Sequence, residues 1–227
     1  MPPSHLLSID LSSSRGSLAL HRQAGGGPEW LGETDLGEGF RHNERLIPAI
    51  AELLTHSGVT LSDVERFVTV SGPGSFTGLR VAMASLKAFS LVGGRPIDTV
   101  SGAEARALAW WRQRPEPSPA LLDVLTHVAS GRFVLSRFRP EPTGLTRLAE
   151  TVVSDWSAHN PPAPIVLTDG RVPPDRLPKQ GAHVSTWALK ARHLAEGLAL
   201  AASRRSYTSL PEWIALAPEY FGAAHYA

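Results

Sequence analysis

Residues 72–80 read Gly-Pro-Gly-Ser-Phe-Thr-Gly-Leu-Arg and lie between an apolar run, residues 67–71 (FVTVS), and an alanine-rich stretch of helical character, residues 79–92. A buried strand that passes through a glycine-rich turn into a helix is the repeating unit of α/β folds with parallel strand pairing. Gly72, Gly74 and Gly78 permit positive φ and close backbone approach, and Ser75 or Thr77 can cap the helix. Free N–H groups and the helix dipole at such a start favour an anion. The spacing is neither Walker A, because no Lys follows Gly78, nor the dinucleotide G-x-G-x-x-G pattern. A phosphate loop and a tight structural turn both satisfy these residues. Arg80 stands in the first helical turn against the dipole, at a cost of ~0.3–1 kcal/mol, and calls for a carboxylate or a bound anion beside it.

Around this unit the chain has a regular grammar. Residues 6–11 and 17–21 read as two strands joined by a polar turn, and residues 29–36, after Gly25-Gly-Gly-Pro28, as a third. Between 43 and 56 the residues Leu46, Ile47, Ile50, Leu53 and Leu54 recur at helical spacing, with Gly58 placed to stop the helix; Pro48 fits if the helix begins near Glu44. A strand at 96–101 and a helix at 103–112 complete the order β-β-β-α-β-α-β-α. The proline-rich run 114–119 is a linker. Beyond it three strands recur, at 121–129, 133–139 and 145–150. A short helix at 152–158, a strand at 165–168 ending at Asp169-Gly170 and a helix at 187–203 follow. The expected organisation is a first lobe over 1–112, a linker over 113–119 and a smaller, degenerate copy over 120–227.

Several chemistries are closed to the chain. It has 227 residues, enough to bury a core without staples, and no cysteine, which removes disulfides, thiol nucleophiles and thiolate metal sites. Twenty-two Lys and Arg against 21 Asp and Glu give a net charge of +1, so no overall field draws the chain to nucleic acid or anionic lipid. The N-terminal residues lack a basic leader, and Asp10 interrupts the apolar run; the expectation is a cytoplasmic protein without membrane contact. No two of the nine histidines stand three or four apart, so no helix carries a two-histidine metal face, and no G-x-S-x-G elbow occurs.

Two groups of residues remain as candidate sites. Asp10, Ser12 and Ser13 at the end of the first strand, with Gly72, Gly74, Ser75, Gly78 and Arg80, are where a phosphate could be held. Asp and Ser at a turn equally serve its own amides. The helix over 79–92 is apolar on two sides, one carrying Leu79, Met83 and Leu86, the other Val81, Ala84, Ala88 and Val92. A helix on a sheet needs one such stripe. The second meets either the helix over 43–56 or another protein, and Ala84, Ser85 and Ala88 admit close approach in both cases.

Residues 9–13 (IDLSS), 42–48 (HNERLIP), 72–80 and 218–221 (PEYF) resemble the bacterial TsaB (YeaZ) family, most closely over residues 5–110. The resemblance implies an α/β fold of the actin-like ATPase (ASKHA) superfamily, with two RNase H-like lobes. It further implies a non-catalytic paralogue of the ligase TsaD that dimerises with it in making threonylcarbamoyladenosine next to the anticodon of tRNAs reading A-starting codons. TsaE would act through the TsaB–TsaD dimer and tRNA would be met indirectly. The chain would have no metal or cofactor of its own, with ATP or ADP held weakly or only in the complex. The implied partner surface lies on the first two helices, at Leu46, Ile50, Leu53, Val81, Ala84, Ser85 and Ala88, and a homodimer through exposed apolar faces is a further expectation. In the first hairpin of the second lobe, where the family carries Asp-Ala-Arg and Glu-Val-Tyr, this chain has THVASGRFV at 126–134. The competing reading is a small-molecule kinase or ATPase of the same superfamily that uses Asp10 and the Gly72–Gly78 loop around Mg-ATP.

Overall fold

The structure, a computed structural model, describes residues 4–24, 27–38, 42–113, 118–129, 131–154, 163–168, 171–177, 183–186, 193 and 205–219. The expected meander is present as β1 (Ser4–Asp10), β2 (Arg15–Ala24) and β3 (Gly27–Glu38). Then come α1 (His42–His56), β4 (Val64–Gly72), α2 (Phe76–Gly93), β5 (Ile97–Ser101) and α3 (Gly102–Arg112). Helix α1 starts two residues before the expected Glu44, and Pro48 sits exposed within it, where its ring removes one backbone donor from the solvent side.

The second half supplies β6 (Leu122–Ala129), β7 (Arg132–Glu141), β8 (Gly144–Val153), β9 (Ile165–Thr168) and β10 (His183–Thr186). A last short strand, β11 (Arg205–Tyr207), follows near the end. Among the described residues the strands form two sheets. The first has the order β11-β5-β4-β1-β2-β3 and the second β10-β9-β6-β7-β8. Setting β11 aside, the two orders are the same: a three-stranded antiparallel meander whose first strand pairs in parallel with the fourth, and the fourth with the fifth. The repeat is therefore one of topology.

Helices α1 and α2 cover one face of the first sheet, with Leu46, Ile50, Leu53, Met83 and Leu86 packed on Leu7, Ile9, Leu18, Leu20 and Phe67. Helix α3 lies between the sheets. Its Ala105 meets Leu6, Val68 and Val100 of the first, and its Ala103, Ala107 and Trp110 meet Leu122, Val124, Phe138 and Leu167 of the second. Every residue from 102 to 110 is buried, and the alanines at 103, 105, 107 and 109 bring the helix close to both sheets while Arg106, Leu108 and Trp110 fill the space that remains.

The expected boundary of the second lobe needs correction. Residues 205–219 return to the first: β11 pairs antiparallel with β5, and α4 (Leu210–Ala215) places Trp213 in the same core as α1 and α2, joined by Leu216. The expected short helix at 152–158 is also corrected at its start, because residues 152 and 153 belong to β8; residues 155–158 lie outside the described residues. The Asp169-Gly170 turn and, apart from buried His193, the expected helix over 187–203 fall outside them too. No helix among the described residues is long and apolar enough to cross a membrane.

Candidate functional site

The C-terminal end of β1 and the start of α2 meet at a joint made largely of backbone. The Ser75 N–H donates to the Ser12 carbonyl at 2.7 Å, and the Ser75 hydroxyl caps α2 by accepting from the Gly78 N–H at 3.3 Å. A Cβ on Gly74 would stand 2.7 Å from the Ser12 oxygen, and one on Gly78 would be 2.9 Å from the Leu11 carbonyl carbon. On the other side, Gly72 (φ +147°) leaves room for the main chain of Glu219, whose N–H donates to the Ser71 carbonyl at 2.8 Å. The glycines thus serve close approach, and what approaches is the β1–β2 turn on one side and the returning C-terminal segment on the other.

Asp10 is fully buried beside this joint. One carboxylate oxygen accepts from the Ser12 N–H at 2.8 Å, while Oδ2 has no hydrogen-bond partner among the described residues. Burial pushes its carboxyl above the usual range, opposed by the Ser12 hydrogen bonds and the positive charges of Arg106 and Arg171. Arg106, buried on α3, donates to the Thr126 hydroxyl at 3.2 Å, and Arg171 donates to the Ser12 carbonyl at 2.8 Å. Pairing ends at Ile9↔Thr69 in the first sheet and at Leu125↔Thr168 in the second. Thr126 is therefore the topological counterpart of Asp10. The Ser13 hydroxyl is engaged with the backbone of Arg15.

Of the residues expected around a phosphate, Asp10, Ser12, Ser13, Gly74, Ser75 and Gly78 are brought together. Gly72 faces Glu219, and Arg80 is exposed with its guanidinium 3.8 Å above the Phe76 ring. Among the described residues no three His, Asp or Glu side chains converge as a metal site would require.

The residues expected at a partner surface divide. Leu46, Ile50 and Leu53 are core residues, between 1% and 5% exposed, which corrects their assignment to an interface: α1 has one full apolar stripe and the sheet consumes it. On α2, Val81 and Ser85 are half-buried, and Ala84 and Ala88 are exposed. The exposed stripe continues through Leu91 and Val92, with Val92 90% exposed, and Ile47 is exposed on the neighbouring helix α1. Beside α2 runs α4, where Lys87 Nζ donates to the Ile214 carbonyl at 3.3 Å and the Ile214 side chain is open to solvent. Val92 was read from helical spacing; Leu91, beside it on the same face, was not named. Ile214 was not, because nothing local ties a six-residue helix to α2 across more than 120 positions.

The family described as TsaD, tRNA N6-adenosine threonylcarbamoyltransferase, matches residues 39–132. The tRNA threonylcarbamoyladenosine biosynthesis protein TsaB of Escherichia coli is 33% identical over 72 residues, 32% of this chain and 31% of that protein. A tRNA N6-adenosine threonylcarbamoyltransferase of Erythrobacter litoralis is 32% identical over 68 residues, 30% of this chain and 20% of that protein. The chain thus spans less than a third of the length of either relative. Over the whole chain the fold matches YeaZ from Pseudomonas aeruginosa, with a TM-score of 0.72 at 20% identity, covering 96% of this chain and all of that one. The chain is thus similar to TsaB and TsaD proteins over part of its length, and to YeaZ in fold over nearly all of it. The fold is that of YeaZ, and the strand order repeated in the two sheets is a duplication of topology within it.

Proposed function

We propose that this chain is a non-catalytic subunit supporting the synthesis of threonylcarbamoyladenosine, next to the anticodon, in tRNAs that read A-starting codons. It works in the cytoplasm by presenting the exposed face of α2 to a threonylcarbamoyl-transferring ligase of the TsaD kind. A TsaE-type ATPase acts on that pair, and tRNA and nucleotide are held mainly by the other subunits. Without the ligase, the same face pairs two copies of the chain. The observation that carries the reading is the stripe of Ala84, Ala88, Leu91 and Val92, which stays exposed although α2 packs its other face on the first sheet. Small residues over two turns followed by large apolar ones suit a closely crossing helix. The names of the relatives supply the chemistry.

Reconstitution tests this directly. With threonylcarbamoyl-adenylate and tRNA, the isolated chain forms no modified nucleoside, and adding it to the ligase raises the yield. Product formed by the isolated chain overturns the proposal. Micromolar binding of Mg-ATP to the isolated chain, read by calorimetry, would favour the small-molecule kinase.

A further inference from the structure

The Ser12 carbonyl accepts two hydrogen bonds from opposite sides of the molecule. One comes from the Ser75 N–H at the base of α2, at 2.7 Å, the other from the Arg171 guanidinium, at 2.8 Å, 159 residues away in the second half of the chain. A carbonyl oxygen has two lone pairs, so both donors are accommodated at once, and the guanidinium bond is the stronger of the two by virtue of its charge. The same residue is also fixed through its N–H to Asp10 Oδ1. The turn between β1 and β2 is therefore held from three directions, and only one of the three holds comes from the second lobe.

What rests on that turn is the start of α2. Gly74 lies against Ser12 and Gly78 against the Leu11 carbonyl, with no side chain between to absorb a displacement. A shift of the Ser12 carbonyl is thus transmitted to the capping residue Ser75 and the first turn of the helix. We propose that Arg171 is an inter-lobe latch: engaged, it seats the β1–β2 turn against the base of α2; released, it frees residues 11–15 and 72–80 together while the rest of both lobes stays folded. A second polar link across the sheets, Arg106 to Thr126, joins α3 to β6 and is not removed by a change at Arg171. The latch does not depend on the proposed partner, although it connects the second lobe to the helix that would carry one.

Hydrogen–deuterium exchange on the full chain tests it. Arg171→Ala is expected to speed exchange at least tenfold in peptides covering 11–15 and 72–80, with those covering 44–56 and 132–153 unchanged. Arg171→Lys, which keeps the charge near Asp10 on a shorter, non-planar side chain, gives the same pattern at smaller amplitude and serves if the alanine variant does not fold. Unchanged exchange in the two segments, or acceleration spread evenly over both lobes, overturns the latch.

Discussion

Replacing Gly78 by Ala adds one methyl group where the main chain of Leu11 already lies against the helix. The new Cβ would sit 2.9 Å from the Leu11 carbonyl carbon and 3.2 Å from the Leu11 Cβ, and closer still to the carbonyl oxygen. Adding methylene-sized volume to a packed core costs ~1–3 kcal/mol when side chains can turn aside. Here the obstacle is main chain, pinned by the 2.7 Å bond from Ser75 to Ser12 and by the capped start of α2, so the cost lies above that range, at about 4 kcal/mol. The better helix propensity of Ala offsets about 1 kcal/mol of it. The net loss of about 3 kcal/mol corresponds to a drop in Tm of ~6–12 °C for a chain of this size. Gly144 supplies the control, since among the described residues, chain neighbours aside, nothing lies within 4 Å of the place a Cβ would take there and its φ is not in the left-handed region; Gly144→Ala should stay within ~0.5 kcal/mol of the parent. Thermal melts followed by circular dichroism, with chemical denaturation for ΔG, read both variants. A Gly78→Ala protein melting within about 2 °C of the parent would refute the idea that the glycines exist for backbone contact.

Two further expectations concern the first lobe. His21 is buried in β2 opposite Leu6 and Trp30 with neither ring nitrogen hydrogen-bonded among the described residues, and burial pushes its pKa down to about 4 from 6.5. The unfolded chain takes up a proton that the folded chain refuses, so this group's contribution is complete above pH 6.5 and disappears as pH falls through about 4. The difference is worth about 3 kcal/mol. In urea titrations from about pH 7 to 4, His21→Leu should lose that much less stability than the parent; parallel curves would contradict the assignment. Trp213→Ala should cost ~3–5 kcal/mol, because the indole lies in the α1–α2 core with its N–H donated to the Tyr207 carbonyl at 2.9 Å. A loss below about 1 kcal/mol would mean that the returning segment is an ornament on the lobe.

Much of the architecture was legible because each element announces its own period. The meanders alternate, α1 carries one stripe, and residues 67–71 form a short apolar run, so the order of elements over the first half and the three recurring strands of the second follow from local pattern. The misses have a common cause. Strands β10 and β11 and helix α4 are three to six residues long, too short to show a period, and are fixed by partners far away in the chain. Trp213 is the one buried residue of α4, and a short apolar stretch such as LPEWIAL does not say which of its side chains is inside until Tyr207 and the α1–α2 core are set beside it. At the candidate site, the glycines of 72–78 were readable as positions of close approach, but a phosphate oxygen and a carbonyl oxygen make the same demand on a glycine. The stripe of Leu46, Ile50 and Leu53 posed a similar ambiguity, since apolar spacing says that a helix face is covered without saying by what.

The most direct measurement is the affinity of the chain for the proposed ligase partner with a glutamate placed at Ala84. The position is exposed, so Ala84→Glu should leave the melting temperature within about 2 °C of the parent. A carboxylate buried unpaired between two helices costs several kcal/mol, and about 3 kcal/mol is roughly a hundredfold. Weakening of at least that size with an unchanged melt is the expected result. Binding as tight as that of the parent chain would place the partner elsewhere on the molecule and leave the open face of α2 without a purpose.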